Sequence, residues 1–212
     1  MKEFLPYQTV RNNALKLAYR MYKEGFIPDV IYVPLRGGAY MGNVISEFYK
    51  MALKGTDHKP VFYAAVVARS YTDVKSHGAV AVDGWTYSPE NLRPGDKVLF
   101  VDDIYDSGYT INFLVNYIMS KGPRREDIKV AVHDYKVQEY VDKNLSVVPD
   151  YWCRKHVIKN QCDEIWIHYM SHELIGLTPE ELEEHYFKED PELREVFSVL
   201  KRGSFSGAAL SA

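Results

Sequence analysis

Thirteen consecutive residues, Val98-Leu99-Phe100-Val101-Asp102-Asp103-Ile104-Tyr105-Asp106-Ser107-Gly108-Tyr109-Thr110, carry three acids, two aliphatic hydroxyls and a glycine behind an apolar run. The apolar part reads as a buried strand that delivers Asp102 and Asp103 at its carboxyl end, with Asp106 three residues later. The loop after it opens a helix, so its amides and the helix N-terminus can hold a phosphate, with Ser107 and Thr110 adding hydrogen bonds. Adjacent acids suit sugar hydroxyls or a hydrated magnesium ion, which prefers few carboxylates and several waters. The plain alternative is a capped helix after a strand with incidental surface acids, and it accounts for one acid but not for the run. A P-loop does not fit either: no lysine follows the glycine, and the acids would repel a bare triphosphate.

A second group, Cys153, His156, Cys162, His168 and His172, raises the question of zinc. Its spacing matches no standard finger, and each member is separately explicable as core or surface.

These residues need a scaffold, and the periodicity supplies one. Residues 8–24 form a helical pattern with Val10, Ala14, Leu17, Ala18 and Met21 on one face and Gly25 as its stop. Asp29–Pro34, Val61–Ala68, Lys97–Val101 and Ile128–Val132 are short apolar runs expected to be buried strands, with helices expected over 39–53 and 110–120. Strands alternating with helices imply an α/β fold with a parallel central sheet flanked by helices, its site beyond the carboxyl ends of the strands. Residues 69–91 are polar, contain Gly78 and Gly84, and are expected to be a flexible lid. From Tyr135 to Leu177 the pattern is irregular apart from a strand at Glu164–His168, and helix starts stand at Thr178-Pro179-Glu180-Glu181 and Asp190-Pro191-Glu192. The expected divisions are a core over 1–134, a small hood over 135–177 whose one strand returns to the core, and a C-terminal helical extension and tail over 178–212.

Lysine plus arginine number 26 and aspartate plus glutamate 29, for a net charge of -3. That balance argues against nucleic-acid or anionic-membrane binding, which need a basic face. Two cysteines, no secretory pattern at the start and no membrane-length apolar run make the cytoplasm the expected location.

The Val98–Thr110 run resembles the signature of the type I phosphoribosyltransferases, with aromatic Tyr105 at a usually aliphatic position as its one departure. The resemblance spans about residues 27–175 and is closest to the hypoxanthine/guanine/xanthine enzymes. It implies that Asp102 and Asp103 hold the ribose hydroxyls of PRPP and that Asp106, Ser107, Gly108, Tyr109 and Thr110 cradle its 5′-phosphate. Leu35-Arg36-Gly37-Gly38 falls where the family places its pyrophosphate loop, and Arg69 opens the lid nearby. Ser70-Tyr71 resembles the Ser-Tyr pair that these enzymes carry on the lid, so both join Asp106 as implied catalytic residues. Lys136 falls where a lysine contacts the exocyclic oxygen of the base, although a solvated lysine after a strand would look the same. Trp166 would stack on the base with the Ile167 backbone at its edge, or Ile165 would take that place under a one-residue shift.

The implied cofactor is Mg2+, held through water by Asp102 and Asp103, with Glu173 or His172 where the family has a further acid. A histidine there would weaken a second magnesium site. The implied partners are PRPP and a purine base as substrates, pyrophosphate and a nucleoside monophosphate as products, and further copies of the chain in a dimer or tetramer. Asp106 is the residue placed to exchange a proton with the purine ring. Two alternatives stay open: a transferase for another base such as a pyrimidine, and a non-catalytic regulator that senses PRPP.

Overall fold

A computed structural model describes residues 2–70 and 80–199, with the side chains of 69 and 70 outside the description. The chain divides into two compact units, 1–172 and 173–212.

In the first unit, six strands form one sheet in the order β4-β3-β2-β5-β6-β7. They are β2 (Val30–Pro34), β3 (Phe62–Ser70), β4 (Val80–Trp85), β5 (Val98–Tyr105), β6 (Ile128–Gln138) and β7 (Tyr151–Ile158). All neighbours are parallel except β4, which returns antiparallel along β3. A separate parallel pair joins β1 (Lys2–Leu5) to β8 (Trp166–Tyr169). The helices are α1 (Tyr7–Lys23), α2 (Gly38–Ala52) and α3 (Tyr109–Met119).

Alternation along the strands explains the two cores. Ile31, Val33, Leu99 and Val101 face α1 and α2, and meet Val10, Ala14, Leu17, Met21, Met41 and Ile45. Val30, Tyr32, Val98 and Phe100 point the other way and meet Ile111, Leu114, Val115 and Ile118 of α3. Burial on both faces is why β2 and β5 read as continuous apolar runs.

Three parts of the sequence expectation come out differently in the structure. The second half of the expected lid is β4, whose Val82 and Trp85 pack on the α3 side, Trp85 edge-on to Tyr32 at 4.9 Å. The first half, residues 71–79, including the expected catalytic Tyr71, lies outside the described residues. The stretch from Tyr135 is regular rather than irregular: β6 continues to Gln138 and β7 pairs with it from Ala131↔Tyr151 onward. The strand expected at Glu164–His168 is β8, and it pairs with β1, an element too short to stand out in the sequence.

The second unit starts its helix α4 (Pro179–Leu182) with a capping box: the Thr178 hydroxyl accepts from Glu181 N–H and Glu181 accepts from Thr178 N–H. A π turn over Glu183–Phe187 follows, then α5 (Leu193–Ser198), tied back by an Arg194–Glu183 pair at 2.5 Å and by Phe197 against Phe187. Among the described residues no helix is long and apolar enough to cross a membrane.

Candidate active site

The carboxyl ends of β2, β5 and β6 carry most of the residues singled out above. Asp102 and Asp103 stand near the end of β5. The Asp102 carboxylate accepts the Asp103 N–H at 3.0 Å, and Asp103 accepts the Ile104 N–H at 2.8 Å. Burial, and then the neighbouring Asp103 charge, push the Asp102 carboxyl well above the usual carboxylate range. A carboxylate pair under that strain gains from a cation nearby. Two acids, rather than a cage of ligands, fit a magnesium ion that keeps most of its waters.

Beyond Asp106 the chain turns at Gly108, which has φ +83° and begins α3 without a side-chain cap. The first-turn N–H groups of a helix have no intrahelical acceptor, so they are open to an anion. A cavity of about 140 Å³ lies here, lined by Asp102, Asp106, Ser107, Gly108 and Thr110 among others.

Tyr105, the aromatic departure from the signature, has a structural reason. Its hydroxyl donates to Val147 O at 2.6 Å and accepts from Asn112 Nδ2 at 3.0 Å. Asn112 also donates to Gly108 O and Val147 O and accepts from Val147 N–H, so one buried amide clamps the loop to the helix. Burial pushes the Tyr105 phenol up to about 12, so it stays a neutral donor. A Cβ on Gly108 would overlap the Tyr105 ring, so the glycine is required for contact as well as for φ.

The Leu35-Arg36-Gly37-Gly38 turn leaves β2 and enters α2, with a cis Leu35–Arg36 peptide and the Leu35 N–H donated to Val66 O at 2.9 Å. A Cβ on Gly37 would overlap the Asp103 carboxylate, and one on Gly38 would overlap Val101 O. The turn is therefore pressed against the acids. Arg69 and Ser70 end β3, but their side chains are outside the description.

Lys136 is buried near the end of β6, with its ammonium 3.4 Å from Asp106 and 3.2 Å from Glu164. Gln138 donates to Asp106 at 3.2 Å and also to Glu164, while Tyr140 OH donates to Glu164 at 2.7 Å. Lys143 donates to Asp106 O at 3.0 Å and to the Gln138 carbonyl, and burial lowers its ammonium pKa. Sequence reasoning found Lys136 and Asp106 but missed Gln138, Tyr140, Lys143 and Glu164. Strand alternation carries a signal for Gln138, which lies two residues beyond Lys136 on the same face. In the sequence Glu164 reads only as the first residue of a strand.

Trp166 sits on β8 at the edge toward β1, about half exposed, with the Lys2 ammonium 5.5 Å from its ring. Ile167 is buried in the α1 side core. His172 approaches Asp103 at 3.0 Å through Nε2 and Ser171 Oγ at 3.0 Å through Nδ1. Both ring nitrogens are thus engaged, which makes His172 a partner of Asp103 rather than an open metal ligand. Glu173 begins the second unit.

Behind His172, Tyr169 stacks on its ring at 5.4 Å and donates from its hydroxyl toward Asp103 O at 3.0 Å and Asp134 at 2.7 Å. Asp134 is fully buried and also meets His133 at 2.6 Å, Arg154 at 2.7 Å and His156 at 2.6 Å. Burial alone would raise its carboxyl, but the bonds from His133, Arg154 and Tyr169 outweigh that and hold it below the usual range. The cysteine–histidine group does not assemble: His156 serves Asp134, Cys162 is exposed in a turn, and burial pushes the Cys153 thiol up to about 12. Among the described residues no three His, Cys, Asp or Glu side chains are arranged to hold a metal.

No curated protein sequence matches the chain. Among solved structures, a purine phosphoribosyltransferase from Pyrococcus horikoshii is 21% identical, covers 84% of this chain and 97% of its own, and has a TM-score of 0.60. A hypothetical protein from Neisseria gonorrhoeae with bound ppGpp is 18% identical over 92% and 97%, TM-score 0.57. The Helicobacter pylori xanthine-guanine-hypoxanthine phosphoribosyltransferase is 16% identical over 93% and 99%, TM-score 0.53. At these identities the likeness shows a shared fold. The phosphoribosyl transferase domain model matches residues 2–168, nearly the whole first unit, and the chain belongs to that family.

Proposed function

We propose that the protein is a magnesium-dependent phosphoribosyltransferase acting on 6-oxopurines. The observation that carries this reading is the buried Lys136 ammonium 3.4 Å from Asp106, at the neighbouring carboxyl ends of β6 and β5. A lysine donates only, so it pairs with a carbonyl oxygen and not with an amino group. On a purine, that oxygen at position 6 lies beside ring nitrogen N7, where Asp106 can exchange a proton as the bond to C1 forms.

The rest of the site supports the same reaction. The Ser107–Thr110 loop and the α3 N-terminus hold the 5′-phosphate, and Asp102 and Asp103 bind the ribose hydroxyls. Asp103 is fixed for this by Ile104 N–H and His172. Arg36 and the backbone of Gly37 and Gly38 face the leaving pyrophosphate, stabilising charge that grows as the oxocarbenium-like state develops. Magnesium, held through water by Asp102 and Asp103, would neutralise pyrophosphate charge. Trp166 contributes stacking area on the base.

The test is to incubate the protein with PRPP, magnesium and a panel of bases and to measure pyrophosphate release. Release with hypoxanthine, guanine or xanthine and little with adenine is expected, because adenine would set donor against donor at Lys136. A preference for adenine or a pyrimidine would remove Lys136 from its role, and PRPP binding without turnover of any base would favour a sensor.

A further inference from the structure

The loop after β5 keeps its carbonyl oxygens and its amides apart. The Asp106 carbonyl accepts from the Lys143 ammonium at 3.0 Å. The Gly108 carbonyl accepts from Asn112 N–H at 3.0 Å and from Asn112 Nδ2 at 3.1 Å. In a trans peptide the C=O of one residue and the N–H of the next point in opposite directions. The Asp106–Ser107 and Gly108–Tyr109 peptides are both trans. Ser107 N–H and Tyr109 N–H therefore point away from these donors, and among the described residues neither meets an acceptor. Oxygens tied back on one side and amides left open on the other suit an anion on the amide side.

The two oxygens are held differently. Gly108 O is secured by α3 itself, because Asn112 N–H is its ordinary helical partner four residues on. Asp106 O precedes the helix, and a side chain 37 residues further along the chain supplies its donor. That side chain is well placed to hold it. Lys143 lies in the connection between β6 and β7, half-buried, with a second N–H on the Gln138 side-chain carbonyl. Two residues on, Leu145 lies so close to Gly108 that a Cβ there would overlap it. Val147 is clamped by Tyr105 and Asn112. Both oxygens that take the ammonium are neutral, so the contact sets geometry rather than balancing a charge. The cavity at this loop is lined by Ser107, Gly108 and Thr110 but not by Lys143, which therefore acts from behind.

We propose that Lys143 is a positioning residue for phosphate binding: by holding Asp106 O it presets the Ser107 N–H toward the 5′-phosphate of the substrate. This rests on the 5′-phosphate reading above. Without the lysine, the Asp106–Ser107 peptide is free to turn, and the amide has to be ordered at the moment of binding.

The experiment compares the unmodified protein with Lys143→Met, which nearly keeps the length of the side chain and removes its donors. The KM for PRPP is expected to rise about ten-fold, because small misplacements of a positioning group are costly, with kcat and the KM for the base little changed. A fall in kcat at an unchanged KM for PRPP would overturn the proposal. Calorimetry with two parts of the substrate sharpens the comparison. Ribose 5-phosphate is expected to bind the variant about ten-fold more weakly and pyrophosphate as before. Equal weakening of both would mean a general loss of charge or structure and would also overturn it. In the ligand-free protein, nitrogen–proton correlation spectra should show the Ser107 amide shifted or broadened in the variant while the amides of β2 and β5 stay in place. An unmoved Ser107 amide would remove the positioning role. The reaction itself is tested separately. If the unmodified protein turns over no base and Lys143→Met still weakens ribose 5-phosphate, the transferase reading falls and the role of Lys143 stands. If PRPP is used and neither its KM nor the affinity for ribose 5-phosphate changes in the variant, the reverse holds.

Discussion

Three aspartates within five residues of each other have three different environments, and these set different expectations. Asp106 is half exposed and touches Lys136 and Gln138, so its carboxylate is open to a substrate. Asp106→Asn is expected to lower kcat by about 10²–10⁴-fold with little effect on the KM for PRPP. Steady-state kinetics checks this, and an unchanged kcat across pH would remove the proton-transfer role. Asp102 is partly buried beside a second carboxylate, and its pKa is raised. The sign follows from linkage: an ionised form disfavoured in the folded state penalises folding at neutral pH, and the penalty fades as pH falls and the group takes its proton. Asp102→Asn is therefore expected to stabilise the free protein at pH 7, by about 0.5–2 kcal/mol as functional-site replacements often do, while raising the KM for PRPP. Thermal melts at pH 7 and pH 5 should show that gain shrinking at the lower pH. These acids were legible because their spacing to Gly108 and Thr110 is local. The partners that orient them, His172 and Tyr169, lie 69 and 66 residues from Asp103, and no local pattern joins them.

At the scale of elements, the sequence was readable where strands are uniformly apolar and opaque where a strand interior is polar but satisfied. β2 and β5 announce themselves because both faces are covered by hydrocarbon. The second half of β6, His133-Asp134-Tyr135-Lys136-Val137-Gln138, and most of β7, Trp152-Cys153-Arg154-Lys155-His156, look like loop by composition. They are strands because Asp134 pairs His133, Arg154 and His156, and Glu164 pairs Lys136, which removes the cost of burying those charges. β1 was missed for another reason: four residues carry too little periodicity, and its partner β8 lies at the far end of the unit. The α2 entrance shows how tightly the elements meet at the site. Gly38→Ala would drive a methyl into Val101 O, an atom of the central strand that cannot rotate away, and is expected to cost about 1–3 kcal/mol and most activity. Gly84 in β4 has open space where a Cβ would stand, so Gly84→Ala is expected to stay within about 0.5 kcal/mol of the parent in urea unfolding. Equal losses at the two positions would show that the Gly38 contact does not hold.

For the first unit as a whole, Asp134 is the point where the two sheets are fastened together. It sits on β6, accepts from Arg154 and His156 of β7 and from Tyr169 of β8, and Arg154 reaches on to Glu3 of β1 at 2.5 Å. Through Tyr169 the same cluster touches the backbone of Asp103, so the candidate site is braced from behind by a buried charge network. Removing one member of such a network leaves the others buried without their counter-charge, which typically costs about 3–5 kcal/mol. Asp134→Asn is expected to lose about that much at pH 7. The pH dependence has a definite sign. The folded carboxyl lies below its ordinary value of 3.8, so its stabilisation is complete above that pH and drains away as pH falls toward the folded pKa. Urea unfolding of the parent and Asp134→Asn at pH 7, 4 and 3 should therefore show a gap that is constant from pH 7 to about 4 and narrower at pH 3. A gap that stayed constant down to pH 3 would mean that the fold does not hold this carboxyl below its ordinary value. Tyr169→Phe separates the brace from the network. It keeps the ring stacked on His172 but removes the hydroxyl between Asp134 and Asp103 O, so the KM for PRPP is expected to rise several-fold while stability falls by only about 1–3 kcal/mol.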